Sequence, residues 1–579
     1  SNIDLNSLDH IEILTGPFSS LYGNSSGGAL LSTTKEGQGK DSATLSYAGG
    51  SHNRSNSSLV LQGGAKSDNQ PSYVISSSYF DTDGYRDHSG AEKVLNNAKL
   101  TWNLTDGSKI NWITNYVKIH ADDPQGLTHS QWLANPKQVN DASNTYNVRK
   151  DIEQTQTGVT WLKPINDHNE IYAMAYVGNR KVTQYQSIPK TAQANINHAG
   201  GVIDFERNYY GADFRWTGKE LLPNTTLNMG VALDAMDEDR KGYENFNAAG
   251  VYGVKGNLRR DEDNTLWNID PYVQASWQFL PTWRLDAGVR YSNVHYKSED
   301  HYLSNGNDSD KTEYDRVLPS AALSWQILPE LLAYASYNKG FETPTFTEMA
   351  YRTDGQSGFN FDLRPSTSDN YEFGLKSNNA WGNFTLAVFQ SKTKNDIVSA
   401  GSLNGRATYR NADQTLREGV EFSWNKKLWK DLIAQASYSY LDATFDSDTS
   451  AIYSSTGATV AKAIQKNAYI PGIAKNQAYA RLAWQPEQGI YGGFDIRYMD
   501  KIYVDDQNMD SAPSYTISSA NLGYAWNFKD WSLKSYVRVD NLFDKSYVGS
   551  VIVNDSNSRY FEPADGRNWS AGLSITRQF

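Results

Sequence analysis

Arginine and tyrosine fall close together in several polar stretches of this sequence. Arg207 precedes Tyr209 and Tyr210, Arg240 and Lys241 precede Tyr243, Arg259 adjoins Arg260, Arg352 lies in a Gly- and Asp-containing stretch, and Arg559 precedes Tyr560 and Phe561. Tyr185 and Gln186 add a ring and an amide in another such stretch. A guanidinium grips a carboxylate with two parallel hydrogen bonds and also lies flat on rings, so these residue types together suit a small planar anion. Taken singly, a loop arginine is ordinarily a solvated charge or half of an inter-loop ion pair. The adjacent Arg259 and Arg260 are harder to dismiss, because like charges side by side repel unless an anion lies between them. The candidate binding set is therefore Tyr185, Gln186, Arg207, Arg240, Tyr243, Arg259, Arg260, Arg352, Arg559 and Tyr560.

Other chemistries find less support. Gly23-Asn24-Ser25-Ser26-Gly27 matches the G-x-S-x-G nucleophile elbow and would make Ser25 a nucleophile. That elbow needs a helix after it and an acid and a histidine further on. A strand-like run follows instead, and none of the 9 histidines has a catalytic context, so no enzyme is expected. Ser304 to Asp310 and Asp442 to Asp448 offer hard oxygen ligands for Ca²⁺ but lack the twelve-residue EF-hand spacing, and no metal site is assigned. The absence of cysteine removes disulfides and thiolate metal centres. With 54 basic against 65 acidic residues and a pI near 5.4, nucleic acid is excluded as a principal partner.

The elements that must position these residues read as strands. Across 579 residues no apolar run is long enough for a spanning helix, and mean hydropathy is −0.64. Yet 13% of residues are aromatic, in a chain that is only 39% hydrophobic. Trp283 to Tyr291 alternates apolar with charged or Gly residues, as do Phe494 to Tyr498 and Leu533 to Asp540. At the C-terminus Trp569, Ala571, Leu573, Ile575 and Phe579 share one face, with Arg577 the exception. At ~3.3 Å per residue and a tilt of about 45°, that strand covers an apolar band roughly 25 Å tall with a ring at each edge. Alternation alone also fits a soluble β-sandwich or propeller. Connection lengths favour a barrel. Short polar turns, as at Asp106-Gly107-Ser108, Pro281-Thr282 and Lys529-Asp530, alternate with long polar excursions such as His120 to Asp151, Lys181 to Asn208, Asp237 to Asn264 and Ala443 to Lys475. Counting from about residue 41 gives about 11 long loops and about 10 turns, hence an all-β, 22-stranded antiparallel transmembrane barrel over 41–579. Such a barrel belongs in a bacterial outer membrane, facing lipid and lipopolysaccharide.

Residues 1–40 read differently. Ile11-Glu12-Ile13-Leu14-Thr15-Gly16-Pro17-Phe18-Ser19-Ser20-Leu21-Tyr22-Gly23, running on to Lys35, resembles the closing part of the plug domain of TonB-dependent outer-membrane receptors. Thr15 stands where that family has Arg, which bears on plug–barrel ion pairing. Gly340-Phe341-Glu342-Thr343-Pro344, Leu363-Arg364-Pro365, Ile470-Pro471-Gly472 and Asn541-Leu542-Phe543-Asp544 resemble barrel landmarks of the same family. Loop segments such as Gln184 to Lys190, His198 to Asp204, Arg240 to Phe246, Tyr351 to Gly358 and Val548 to Asn554 are similar to a branch near the ferric-citrate receptors that takes up pyrroloquinoline quinone. The resemblance implies active import, with a planar tricarboxylated quinone as transported ligand rather than resident cofactor. It also implies a TonB partner energised by ExbB and ExbD and met through a TonB box upstream of Ser1. The outer membrane has no ATP, so force must be borrowed. A monomer is expected, whose outer loops are also what a phage or bacteriocin would meet. Rival readings are a ferric-siderophore or ferric-citrate receptor and, from another class, a passive porin or adhesion barrel.

Overall fold

The computed structural model describes residues 3–15, 19–455 and 458–579; Gly16, Pro17 and Phe18 of the plug-like motif lie outside them. Twenty-two antiparallel strands, each paired with its neighbours, form a barrel that closes where Ser42–Gly50 pairs with Asn568–Gln578. Closure leaves no edge strand and satisfies every ladder hydrogen bond internally, which lipid demands.

The alternation read from the sequence becomes two faces. Along Trp283–Asp300, Val289 and Tyr291 are 43% and 41% exposed, whereas Arg290 and Ser292, which alternate with them, are buried in the lumen. Rings gather at the short-turn rim, where Trp283 stacks on Trp325 with centroids 5.1 Å apart and Trp526 on Phe528 at 5.6 Å. Arg577, the outward charge, lies over the rings of Trp531 and Phe579 at 5.2 and 5.1 Å. There it can rest its stem on the aromatic girdle and keep its head in the interface.

Several stretches expected to be loops are strand. Thr225–Tyr243 and Leu258–Leu280 carry the ladder far into Asp237–Asn264. The latter strand has 23 residues. At ~3.3 Å each it is about 75 Å long, well beyond the apolar band. Above the membrane both faces are wet, so the alternation fades while the backbone pairing persists. Two connections are short instead of long: residues 51–54 join the first two barrel strands, and Asn404-Gly405 alone joins Gly382–Leu403 to Arg406–Trp429.

Inside the barrel, Leu8–Thr15 pairs with Gly28–Thr34 and a single helical turn, Ser19–Tyr22, lies between them. This small sheet is fastened to the wall. Asn24 Nδ2 donates to Thr343 Oγ1 at 2.7 Å and its Oδ1 accepts from the Thr343 amide at 3.0 Å. Ser26 bonds Glu342, Arg290 Nη1 donates to the Leu21 carbonyl at 2.9 Å, and Lys99 Nζ to the Thr34 carbonyl at 3.0 Å. Ser25, the would-be nucleophile, donates its hydroxyl to the Gly28 carbonyl at 2.7 Å and is followed by a strand. That is a turn hydrogen bond and not a nucleophile elbow.

Candidate functional site

The lumen above the plug is lined in layers set by strand register. In Thr225–Tyr243 the even residues point inward, and in Leu258–Leu280 so do Arg260, Glu262 and Asn264; Arg240 faces Glu262 and Glu238 faces Asn264 across the ladder. Arg240, Arg260, Glu238 and Glu262 are all at most 7% exposed. Arg406 comes to the same place from the Asn404-Gly405 hairpin. It is held by donation from Nη1 to Gln186 Oε1 and from Nη2 to the Gly200 carbonyl. Gly200 has φ +83°, and a Cβ there would sit 2.1 Å from the Tyr243 carbonyl oxygen, so only glycine fits this junction.

These three guanidiniums surround one phenol. The ring of Tyr351 lies 5.9, 5.6 and 4.8 Å from the guanidinium carbons of Arg240, Arg260 and Arg406, and Arg240 Nη2 donates to its hydroxyl at 3.2 Å. Negative charge is short. Glu262 lies 2.8 Å from Arg260 Nε, not aligned for a hydrogen bond, and 3.9 Å from Arg240 Nε, while Glu238 is paired with Arg207 one layer below. Arg240 and Arg260 thus share a single carboxylate while Arg406 has none among the described residues, and the buried Nε and Nη2 of Arg260 and Nε of Arg406 lack hydrogen-bond partners. Burial, opposed by Tyr351 and reinforced by Arg240 and Arg260, pulls the Arg406 pKa down to about 10. Burial pushes the Tyr351 phenol up, but Arg406, Arg240 and Arg260 outweigh it and bring its pKa below the usual tyrosine value. Beside them His198 accepts the Gly200 amide at Nδ1 and bonds the Asn404 carbonyl through Nε2, which fixes a neutral Nε2–H tautomer. Burial, with Arg406 adding to it, drops its pKa from 6.5 to about 4. Buried guanidiniums with spare donors are costly when empty and favourable around an anion, because pairing recovers what desolvation took away.

Below this layer, against the plug apex, is a cavity of about 420 Å³ lined by Tyr22, Asn24, Arg207, Met236, Arg290 and Tyr296. At its floor Arg290 is salt-bridged to Asp270 at 3.0 Å.

Three residues of the sequence-derived set meet here or touch the layer: Arg240, Arg260 and, through Arg406, Gln186. Arg207 lies one layer down. Of the other six, Arg259 and Arg352 line small cavities beside the layer and the remaining four stand elsewhere. Arg259, on the opposite strand face from Arg260, stitches loops by donating to the Gln193 and Asn195 carbonyls and pairing with Glu244 at 3.2 Å. Tyr185 lies under Arg149 at 3.7 Å, Tyr243 near Lys255 at 5.3 Å, and Arg352 forks onto Asp354 at 3.0 and 2.6 Å. The Arg559 amide donates to Asp555, and Tyr560 packs edge-on to Phe561 in a cluster with Leu127 and Trp132. Arg259 and Arg260 leave their strand on opposite faces, yet both line one cavity of about 30 Å³ beside the layer. Arg406, Tyr351, Glu262 and His198 were not singled out from the sequence. For Arg406 the one available signal was its place beside the Asn404-Gly405 turn.

Comparison with known proteins then decides the family. Residues 22–542 match the family described as TonB dependent receptor-like, beta-barrel. The chain belongs to the TonB-dependent receptors. It is 22% identical to the metal-pseudopaline receptor CntO of Pseudomonas aeruginosa over 99% of this chain and 80% of that protein. In fold, this TonB-dependent receptor is similar to the crystal structure of the siderophore receptor PiuA from Acinetobacter baumannii, with TM-score 0.80 and 17% identity over 98% of this chain and 86% of that one. It is equally similar to the unliganded ferric citrate transporter FecA, with TM-score 0.80 and 15% identity over 100% of this chain and 85% of that one. A TonB-dependent receptor barrel of this kind is an outer-membrane protein, and its long connections face outward.

Proposed function

We propose that this receptor imports a small polycarboxylate across the outer membrane, and that pyrroloquinoline quinone is that ligand. The observation that carries the reading is the layer of Arg240, Arg260 and Arg406, in which one carboxylate serves Arg240 and Arg260, none pairs with Arg406 among the described residues, and buried donors stay open. A flat ligand with several carboxylates supplies both the missing charge and the missing acceptors, and its ring system can lie against guanidinium planes. The cavity at the plug apex is the next stop inward, and its size suits a ligand of a few fused rings. Release past the plug requires breaking the Asn24–Thr343, Ser26–Glu342 and Arg290–Leu21 fastenings, work that TonB, driven by ExbB and ExbD, would supply.

A second reading, a ferric-citrate or other siderophore complex, is favoured by what the similar proteins are named for. The same arginines would serve it. Growth separates the two. A strain that depends on external pyrroloquinoline quinone should grow only when the full-length gene and TonB are both present. Growth on ferric citrate, with none on the quinone, overturns the first reading in favour of the second.

A further inference from the structure

Two small cavities, about 30 and 40 Å³, flank the arginine layer, and Tyr351 lines both. The ring stands between them, in the space where the three guanidiniums converge. Arg240 spends a donor on the tyrosine hydroxyl, and Arg260 Nη1 donates to the carbonyl of the preceding residue, Ala350, at 2.6 Å. The arginines thus hold this point of the chain by its backbone and its side chain.

The segment is built to let go locally. On one side Phe346 and Met349 are buried in an apolar cluster with Phe341 and Leu318, and on the other Phe359 and Leu363 enter the same cluster. Between these anchors the chain passes through Gly355 at φ +76° and Gly358 at φ +80°, conformations that glycine adopts without strain. Tyr351 to Gly358 is thus the stretch between two buried anchors, itself held by Tyr351 against the cluster and by Gln356 accepting from Asn197.

We propose that Tyr351 is a built-in stand-in for a ligand carboxylate: in the empty receptor its ring lies among Arg240, Arg260 and Arg406 and its hydroxyl accepts from Arg240, and an arriving carboxylate displaces it. This rests on the polycarboxylate reading above and adds to it a link between occupancy and an outward-facing segment. Guanidiniums left bare would be destabilising, so the tyrosine supplies partial compensation that a true anion exceeds. Displacement frees residues 351–358 and reports a filled site at the outer surface.

The test uses the full-length receptor with pyrroloquinoline quinone and citrate as probes. Removing the competing hydroxyl in Y351F should tighten binding of whichever probe the wild type takes by about fivefold, the worth of one modest hydrogen bond. R406A should weaken the same binding. Hydrogen exchange of residues 351–358 should rise on saturating the wild type. Weaker or unchanged binding by Y351F and by Y351L, with R406A still impaired, overturns the stand-in and leaves the polycarboxylate reading intact. Binding of neither probe by the wild type overturns both.

Discussion

At the residue scale, the account turns on which arginines are short of partners. Arg406 makes no ion pair among the described residues, its Nε is unpartnered, and it is 3% exposed. Arg259 also leaves its Nε unpartnered but, unlike Arg406, pairs with a carboxylate, Glu244, and spends Nη1 and Nη2 on two carbonyls. R406A should weaken ligand binding on the order of a hundredfold, about 2.7 kcal/mol, because truncation leaves a carboxylate without its buried partner. R259A should stay within about threefold in the same titration. His198 gives a pH signature. Its folded pKa of about 4 lies below the ordinary 6.5, so between those values the unfolded segment binds more protons than the folded one. Order around Gly200 is then undiminished above about pH 6.5 and is lost as pH falls towards 4. An NMR titration of the His198 ring should show a midpoint near 4, and a midpoint near 6.5 would contradict its burial against Arg406.

At the element scale, strand register did what residue spacing could not. The lipid-facing residues of Trp283–Asp300 and Asn568–Gln578 were legible as alternation, and L573R, placing a charge on the outer face, should lower folding stability in lipid vesicles by about 2–4 kcal/mol. The long-loop stretches were legible only as polarity. Arg259 and Arg260 looked equivalent because nothing in that polarity says that Leu258–Leu280 extends through both and sets them on opposite strand faces. Arg406 and Tyr351 escaped for a related reason. They are far apart in sequence, and each is seated partly through backbone, Arg406 on the Gly200 carbonyl and Tyr351 through the Ala350 carbonyl that Arg260 holds; such contacts leave no mark on residue type. Gly200 was quoted only as part of a loop, yet its left-handed conformation seats Arg406. G200A should therefore cut binding about as deeply as R406A while the barrel still folds, as read by heat-modified gel mobility of the refolded protein. Unchanged binding would show that the junction is not needed.

At the scale of the whole molecule, the opening chemistry and the membrane architecture describe one machine. An acidic chain with 54 basic residues concentrates uncompensated positive charge in one buried layer, between outward-facing loops and a plug fastened at Thr343, Glu342 and Arg290. On the polycarboxylate reading proposed above, an anion drawn from dilute solution would meet that layer first and the plug second. Low mean hydropathy concealed this membrane protein, since it averages a lipid face with a wet lumen and long polar strand ends. The most direct measurement is equilibrium titration of the purified full-length receptor with pyrroloquinoline quinone, run in parallel on wild type, R406A and R259A. The account predicts tight binding by wild type and R259A and a loss on the order of a hundredfold in R406A. Equal affinity in all three, or selective loss in R259A, would contradict it.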